Sequence, residues 1–226
     1  MRARADVWAI VPAKEATTAK SRLARALSPG RRAALVASLL RHVLITVRRA
    51  APRAGLAGGI VVSRDPRWLT LAARHGFLPL VETGPGELNA ALNQAVRAAV
   101  RLGANGVLIL SLDLPRLVPA DVVALTAQLP RRRGMIIAPD EAGTGTNALV
   151  LRPATLIPPA FGPNSARRHV ALARQSGTVV HVVRRPGLSQ DVDQPKELDR
   201  AVALTPITEE KLPSPFSGRR SPCLTV

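Results

Sequence analysis

Tyrosine is absent from the chain, and three Phe and two Trp make up all its aromatic content, 2% of 226 residues. The interior must therefore be aliphatic, and aromatic platforms of the kind that stack single-stranded nucleic acid cannot be built. Cysteine occurs once, as Cys223 near the C-terminus. One thiol excludes an intramolecular disulfide and a Cys-based metal centre and suits a reducing cytoplasm. No apolar run approaches the ~18 residues of a membrane span. Residues 1–6 are short and polar, unlike a signal peptide, and lead straight into the first apolar run. Acids are scarce: 15 Asp and Glu against 32 Lys and Arg, a formal net charge of +17. The Arg residues are scattered, with only short clusters such as Arg131-Arg132-Arg133. That pattern disfavours a nucleic-acid-binding face and favours small anionic substrates.

What is present is hydrophobic residue, 46% of the chain, enough for a sizeable core. Its Ala, Val, Leu and Ile suit a buried, mostly parallel sheet covered by helices. Strands are expected at residues 7–11, 60–63, 78–81, 107–112, 135–138, 148–151 and 179–183. Helices are expected at about 29–49, 66–75, 87–102, from 119 onward, 164–176 and 195–204. Gly58-Gly59 reads as a turn before the second strand. Alternation of this kind predicts a three-layer α/β/α sandwich in one domain, residues 1–204. Residues 205–226, rich in Pro, Ser, Thr and charge, read as a disordered tail.

In open α/β sheets, ligands bind beyond the carboxyl ends of the strands. The first strand delivers Pro12-Ala13-Lys14, and Lys20 and Arg22 follow within nine residues. Such cations can hold a triphosphate and stabilise a leaving pyrophosphate. The loop is not a P-loop, because GxxxxGK[ST] is absent. Asp113 closes an apolar strand, where a carboxylate is poorly placed for packing and well placed to hold Mg²⁺. Asp191 and Asp193, two apart in an extended segment, can converge on a second ion. Residues 143–147 (GTGTN) have the composition of an anion nest. Residues 161–165 (FGPNS) open a helix whose N-terminus can face a phosphate or carboxylate. Leu88 and Asn89 open another helix and can face a nucleobase. The four His residues lack metal-ligand spacing, and no nucleophile motif occurs.

Seven segments in order resemble one family. They are Ala9-Ile10-Val11-Pro12-Ala13-Lys14, Ala19-Lys20-Ser21-Arg22-Leu23, Leu88-Asn89-Ala90-Ala91-Leu92, Asp113-Leu114-Pro115, Gly143-Thr144-Gly145-Thr146-Asn147-Ala148-Leu149, Phe161-Gly162-Pro163-Asn164-Ser165 and Asp191-Val192-Asp193. The chain is similar, from about residue 7 to 204, to the phosphoenolpyruvate / 2-phospho-L-lactate guanylyltransferases of coenzyme F-420 biosynthesis. The resemblance implies a nucleotide-diphospho-sugar transferase fold of the glycosyltransferase-A kind. It implies GTP as donor, two Mg²⁺ ions on Asp113, Asp191 and Asp193, and a phospho-acid on Thr146, Gly162 and Ser165. Pro12, Lys14, Lys20, Leu88 and Asn89 are then expected at GTP, with Lys14, Lys20 and Arg22 assisting the transfer. Phosphoenolpyruvate is the first acceptor to test, before 2-phospho-L-lactate and 3-phosphoglycerate. A homodimer fits this reading, as does hand-over of product to a transferase of the same pathway. The rival readings are a molybdopterin or sugar nucleotidyltransferase and a basic nucleic-acid-binding domain.

Overall fold

The computed structural model describes residues 6–15, 23–192, 197–198 and 216. Its elements alternate along the chain. They are β1 (Val7–Pro12), α1 (Pro29–Ala54), β2 (Leu56–Ser63), α2 (Pro66–Arg74), β3 (Leu78–Val81), α3 (Leu88–Arg101), β4 (Gly106–Leu110), α4 (Pro119–Ala127), β5 (Gly134–Pro139), β6 (Thr146–Arg152), α5 (Ser165–Gln175), β7 (Val180–Val182) and α6 (Pro186–Ser189). The strands form one seven-stranded sheet in the order β3-β2-β1-β4-β6-β5-β7. Strand β6 runs antiparallel to both β4 and β5, and every other pairing is parallel.

Side-chain alternation along the strands separates two cores. Ala9, Val11, Leu108, Leu110, Ile136 and Val150 face one side, packed with residues of α1, α2 and α4. Ile10, Val107, Ile109, Ile137, Leu149 and Leu151 face the other, packed with residues of α3 and α5. This is the expected three-layer α/β/α sandwich with a mostly parallel sheet.

Local chemistry explains the boundaries. Asp65 Oδ1 accepts from the Arg67 N–H at 3.0 Å, and Pro66 occupies the first turn of α2, where no N–H is needed. Helix α1 runs past its expected end at Arg49 to Ala54 and stops at Gly55, at φ 64°. Buried Ala50, Ala51 and Ala54 carry the extra turn despite Pro52, because each packs on the core.

Gly58 and Gly59 do not turn the chain as expected; they lie inside β2. Their lack of side chains serves packing. A Cβ on Gly58 would lie 2.6 Å from the Trp8 ring, and one on Gly59 would overlap the Phe77 ring. The strand thus accepts an aromatic ring flat against each face. Phe216 also meets Phe77 edge to face, with ring centroids 5.3 Å apart. Apart from residues 197–198 and 216, the expected helix 195–204 and the tail 205–226 lie outside the described residues.

Gly59→Ala is expected to cost about 1–3 kcal/mol of stability, since Phe77 is buried and has no room to withdraw. Urea unfolding measures this; a neutral substitution would mean that Phe77 does not lie on the strand.

Candidate active site

Strands β1, β2, β4 and β5 all point their carboxyl ends to one edge of the sheet. Because β6 is antiparallel, its first residues, Thr146 and Asn147, reach that same edge. At the end of β1, Pro12 is half-buried and Lys14 is exposed. The Ala13 N–H still bonds Val62 O at 3.0 Å, and Trp68 Nε1 donates to Lys14 O at 3.0 Å. The cationic loop therefore departs from a fixed point. Its further members, Lys20 and Arg22, lie outside the described residues.

Past the end of β4, Ser111 Oγ donates to Asp113 Oδ1 at 2.6 Å. The Val192 N–H donates to Asp113 O at 3.1 Å. That bond sets Asp191 beside Asp113, although 78 positions separate them in the chain (191 − 113). The bond joins backbone to backbone and brings two acidic positions to one strand end, the residue type that Mg²⁺ favours. The third expected ligand, Asp193, lies outside the described residues, and among the described residues no group of three or more His, Cys, Asp and Glu forms a metal cluster.

Several residues not anticipated from sequence hold Asp191 in place. Asn147 Nδ2 donates to Leu188 O at 3.0 Å, anchoring α6. Arg185 pairs with buried Asp121, which also accepts from the Val118 N–H at 3.0 Å. Arg116 donates to Gln190 Oε1 at 2.8 Å. The run from Arg185 to Asp191 is thus tied from three sides.

The second half of the site gathers at the start of α5. Thr146 and Ser165 are both buried, and Gly162, at φ 116°, is exposed. Ser165 is the first residue of α5; the cap position belongs to Asn164, at φ 55°. Ser165 Oγ makes no hydrogen bond to another described residue. Positive φ at Gly162 fits a residue without Cβ, and a Cβ there would sit 3.2 Å from the Arg168 guanidinium.

Two side chains fix the loop that carries Gly162. Asn89 Nδ2 donates to Phe161 O at 3.0 Å, and Asn89 Oδ1 accepts from Phe161 N–H at 2.8 Å. The Asn89 carboxamide, expected at the nucleotide, is thus engaged with backbone and retains only one N–H and one lone pair. Leu88, beside it, is half-buried against the α3–α5 core. From the other side, His169 Nε2 accepts from the Ala160 N–H at 3.0 Å, and Nδ1 lies 3.1 Å from Thr146 Oγ1.

Residues 143–147 are not an open anion nest. Asp140 Oδ1 accepts from the Thr144 N–H at 2.8 Å, and Asp140 O accepts from the Gly143 N–H at 3.0 Å. A carboxylate of the chain itself occupies the place of an anion. The loop instead ties to α5, through the Ala166 N–H and Thr144 O at 3.0 Å.

Burial, reinforced by the Arg168 charge, pushes His169 down from 6.5 to about 4. Burial also lowers His42, against a bond to Leu117 O.

The chain combines the strand order 3-2-1-4-6-5-7 with Asp113 and Lys14 at the carboxyl-end edge of the sheet. Its fold is shared with a crystal structure from Desulfovibrio desulfuricans described as a nucleotide-diphospho-sugar transferase. That structure has a TM-score of 0.69 at 17% identity, over 93% of this chain and 92% of that one. A 4-diphosphocytidyl-2C-methyl-D-erythritol synthase from Anaerococcus prevotii superposes with a TM-score of 0.57 at 10% identity, over 88% and 95%. The family model described as "Guanylyl transferase CofC like" matches residues 7–204. The phosphoenolpyruvate guanylyltransferase of Sphaerobacter thermophilus is 43% identical over 199 residues, 88% of this chain and 94% of that protein. That of Rubrobacter xylanophilus is 43% identical over 198 residues, again 88% and 94%. The chain belongs to the CofC-like guanylyltransferase family, and its activity is nucleotidyl transfer from a bound nucleotide. Among the described residues, no helix is long and apolar enough to cross a membrane.

The His169 shift sets a pH dependence. The unfolded chain takes up the proton near 6.5, whereas the native state refuses it until about 4. The stability is therefore complete above pH 6.5 and is lost as pH falls through that window. Melting temperature should drop between about pH 7 and pH 4.5, and His169→Phe should flatten part of the slope. An unchanged slope in that variant would contradict a buried neutral ring.

Proposed function

We propose that the chain transfers a guanylyl group from GTP to phosphoenolpyruvate. The products are enolpyruvyl-2-diphospho-5′-guanosine and pyrophosphate, within coenzyme F-420 biosynthesis. The observation that carries this reading is the pair of hydroxyls at Thr146 and Ser165, buried beside Gly162 at the start of α5. Two hydroxyls on neighbouring elements suit the oxygens of a small phospho-acid. The relatives described above carry the same activity in their names.

In this reading the phosphate of phosphoenolpyruvate attacks the α-phosphorus of GTP. A new P–O bond forms, the bond to the β-phosphate oxygen breaks, and pyrophosphate leaves. The attacking phosphate is already ionised at neutral pH, so no general base is required. That agrees with a site whose one nearby imidazole, on His169, is committed to structural bonds. Thr146, Ser165 and the Gly162 backbone hold the acceptor. Pro12, Lys14, Lys20, Leu88 and the remaining capacity of Asn89 face GTP. Lys14, Lys20 and Arg22 neutralise the departing charge. Asp113, Asp191 and Asp193 are the residues that would hold Mg²⁺, as two ions. Bound there, Mg²⁺ would supply charge neutralisation at the triphosphate. The same proposal makes residues 1–204 the transferase domain and 205–226 an appended tail. It also makes the enzyme cytoplasmic, with a homodimer as its assembly and a transferase of the pathway as the recipient of its product.

Incubation with GTP and Mg²⁺ should release pyrophosphate with phosphoenolpyruvate, and more slowly with 2-phospho-L-lactate or 3-phosphoglycerate. Release with a molybdopterin or a sugar phosphate, and with none of these acids, would overturn the reading.

Asp113→Ala and Asp191→Ala should each abolish turnover in folded protein, read as kcat at saturating GTP. Near-normal kcat in either would remove that carboxylate from the metal site. Ser165→Ala should raise the acceptor KM about tenfold, as expected for losing a hydrogen bond to a charged group, with the GTP KM little changed. Equal weakening of both substrates would place the acceptor elsewhere.

A further inference from the structure

His169 takes no part in the chemistry above, yet it lies where the chemistry depends on it. It is four residues after Ser165 on the same buried face of α5, and its side chain is fully shielded from solvent. Both ring nitrogens are engaged, and their partners differ in kind. Nε2 faces the Ala160 backbone N–H at 3.0 Å. A backbone amide only donates, so Nε2 must carry the lone pair. In a neutral ring the single proton then resides on Nδ1, 3.1 Å from Thr146 Oγ1.

The consequence falls on Thr146. Its oxygen accepts from Nδ1–H, so its own hydrogen cannot point at the ring. Among the described residues Thr146 Oγ1 has no other partner. Among the described residues, the hydroxyl is left as a donor with nothing to receive its proton. Leaving such a donor unmatched is costly unless a ligand completes it.

We infer that His169 is a positioning residue: held as the Nδ1–H tautomer, it commits Thr146 to donating its hydroxyl hydrogen to an anionic oxygen of the acceptor, while Nε2 fixes the Ala160 backbone next to Phe161 and Gly162. The inference rests on the acceptor reading proposed above. Three further observations agree with it. Burial and the neighbouring Arg168 charge keep the ring neutral across the physiological range. The Phe161 ring packs edge-on to the imidazole, with centroids 4.9 Å apart. Asn89 clamps the Phe161 backbone from the opposite side, so the loop has no freedom to leave His169. An imidazolium would turn Nε2 into a second donor facing the Ala160 N–H and break the arrangement.

Two measurements test this. The first needs no turnover. Long-range nitrogen–proton NMR of the histidine-labelled wild-type protein at neutral pH should show His169 as the Nδ1–H tautomer; the Nε2–H tautomer or an imidazolium would overturn the inference. The second separates the two nitrogens. An Asn carboxamide can place an N–H near the Nδ1 position, whereas a Gln carboxamide reaches toward Nε2. His169→Gln should raise the phosphoenolpyruvate KM about tenfold with kcat and the GTP KM nearly unchanged, and His169→Asn less than about threefold. In a Thr146→Val background the Gln effect should vanish, because the hydroxyl it acts through is gone. Equal acceptor KM values in the Asn and Gln variants, or full additivity with Thr146→Val, would overturn it. Failure of the wild type to release pyrophosphate with phosphoenolpyruvate bears on the acceptor reading alone, and the nitrogen spectrum still decides the tautomer.

Discussion

The site depends on an irregularity at the start of β6. Simple alternation would group Asn147 with Leu149 and Leu151, facing α3 and α5, and Thr146 with Ala148 and Val150 on the other side. The bonds made are the reverse: Thr146 meets His169 of α5, and Asn147 meets Leu188 of α6. The β5–β6 ladder slips register at that point, between Ala138 and Pro139. A local register shift of this kind re-aims side chains without disturbing the core beyond it. Here it sends Thr146 to His169 of α5 and Asn147 to the segment that leads to Asp191.

From that slip the two halves of the site become one network. The Ser111 N–H bonds Asn147 O at 2.9 Å, Ser111 Oγ bonds Asp113, and Asp113 O receives the Val192 N–H. In the other direction Thr146 leads to His169, Ala160, Phe161 and Asn89. Asp113 and the start of α5 are thus joined by short polar contacts between strands and helix starts, an arrangement suited to catalysis by positioning. The surplus of 32 basic over 15 acidic residues adds a general attraction for anionic substrates.

Much of the fold was legible in the sequence, because buried strands leave compact apolar runs and caps leave Asp-Pro and Ser-Pro pairs. The second strand was the exception. Gly58 and Gly59 look like a turn, and only the Trp8 and Phe77 rings stacked over them explain glycine inside a strand. Asp113, Asp191 and Ser165 stood out at element ends, where packing has no use for a polar side chain, whereas Thr146 and Gly162 were singled out by the family resemblance. Their supports were not. Asp121 with Arg185, Arg116 with Gln190, and Asn147 with Leu188 are separated by tens of residues, and nothing local marks a pair. The bonds of Asn89 were hidden for a related reason: its partner is the backbone of Phe161, which carries no side-chain signature. His169 had a readable signal, its place one helical turn beyond Ser165 on the same face.

In the proposed function the phospho-acid sits between Thr146, Gly162 and Ser165. A crystal structure with phosphoenolpyruvate bound tests it most directly. An anionic oxygen of the ligand is expected within hydrogen-bond distance of both Thr146 Oγ1 and Ser165 Oγ, with His169 still bonded to Ala160 and Thr146. Phosphoenolpyruvate bound away from α5, with those two hydroxyls untouched, would contradict it.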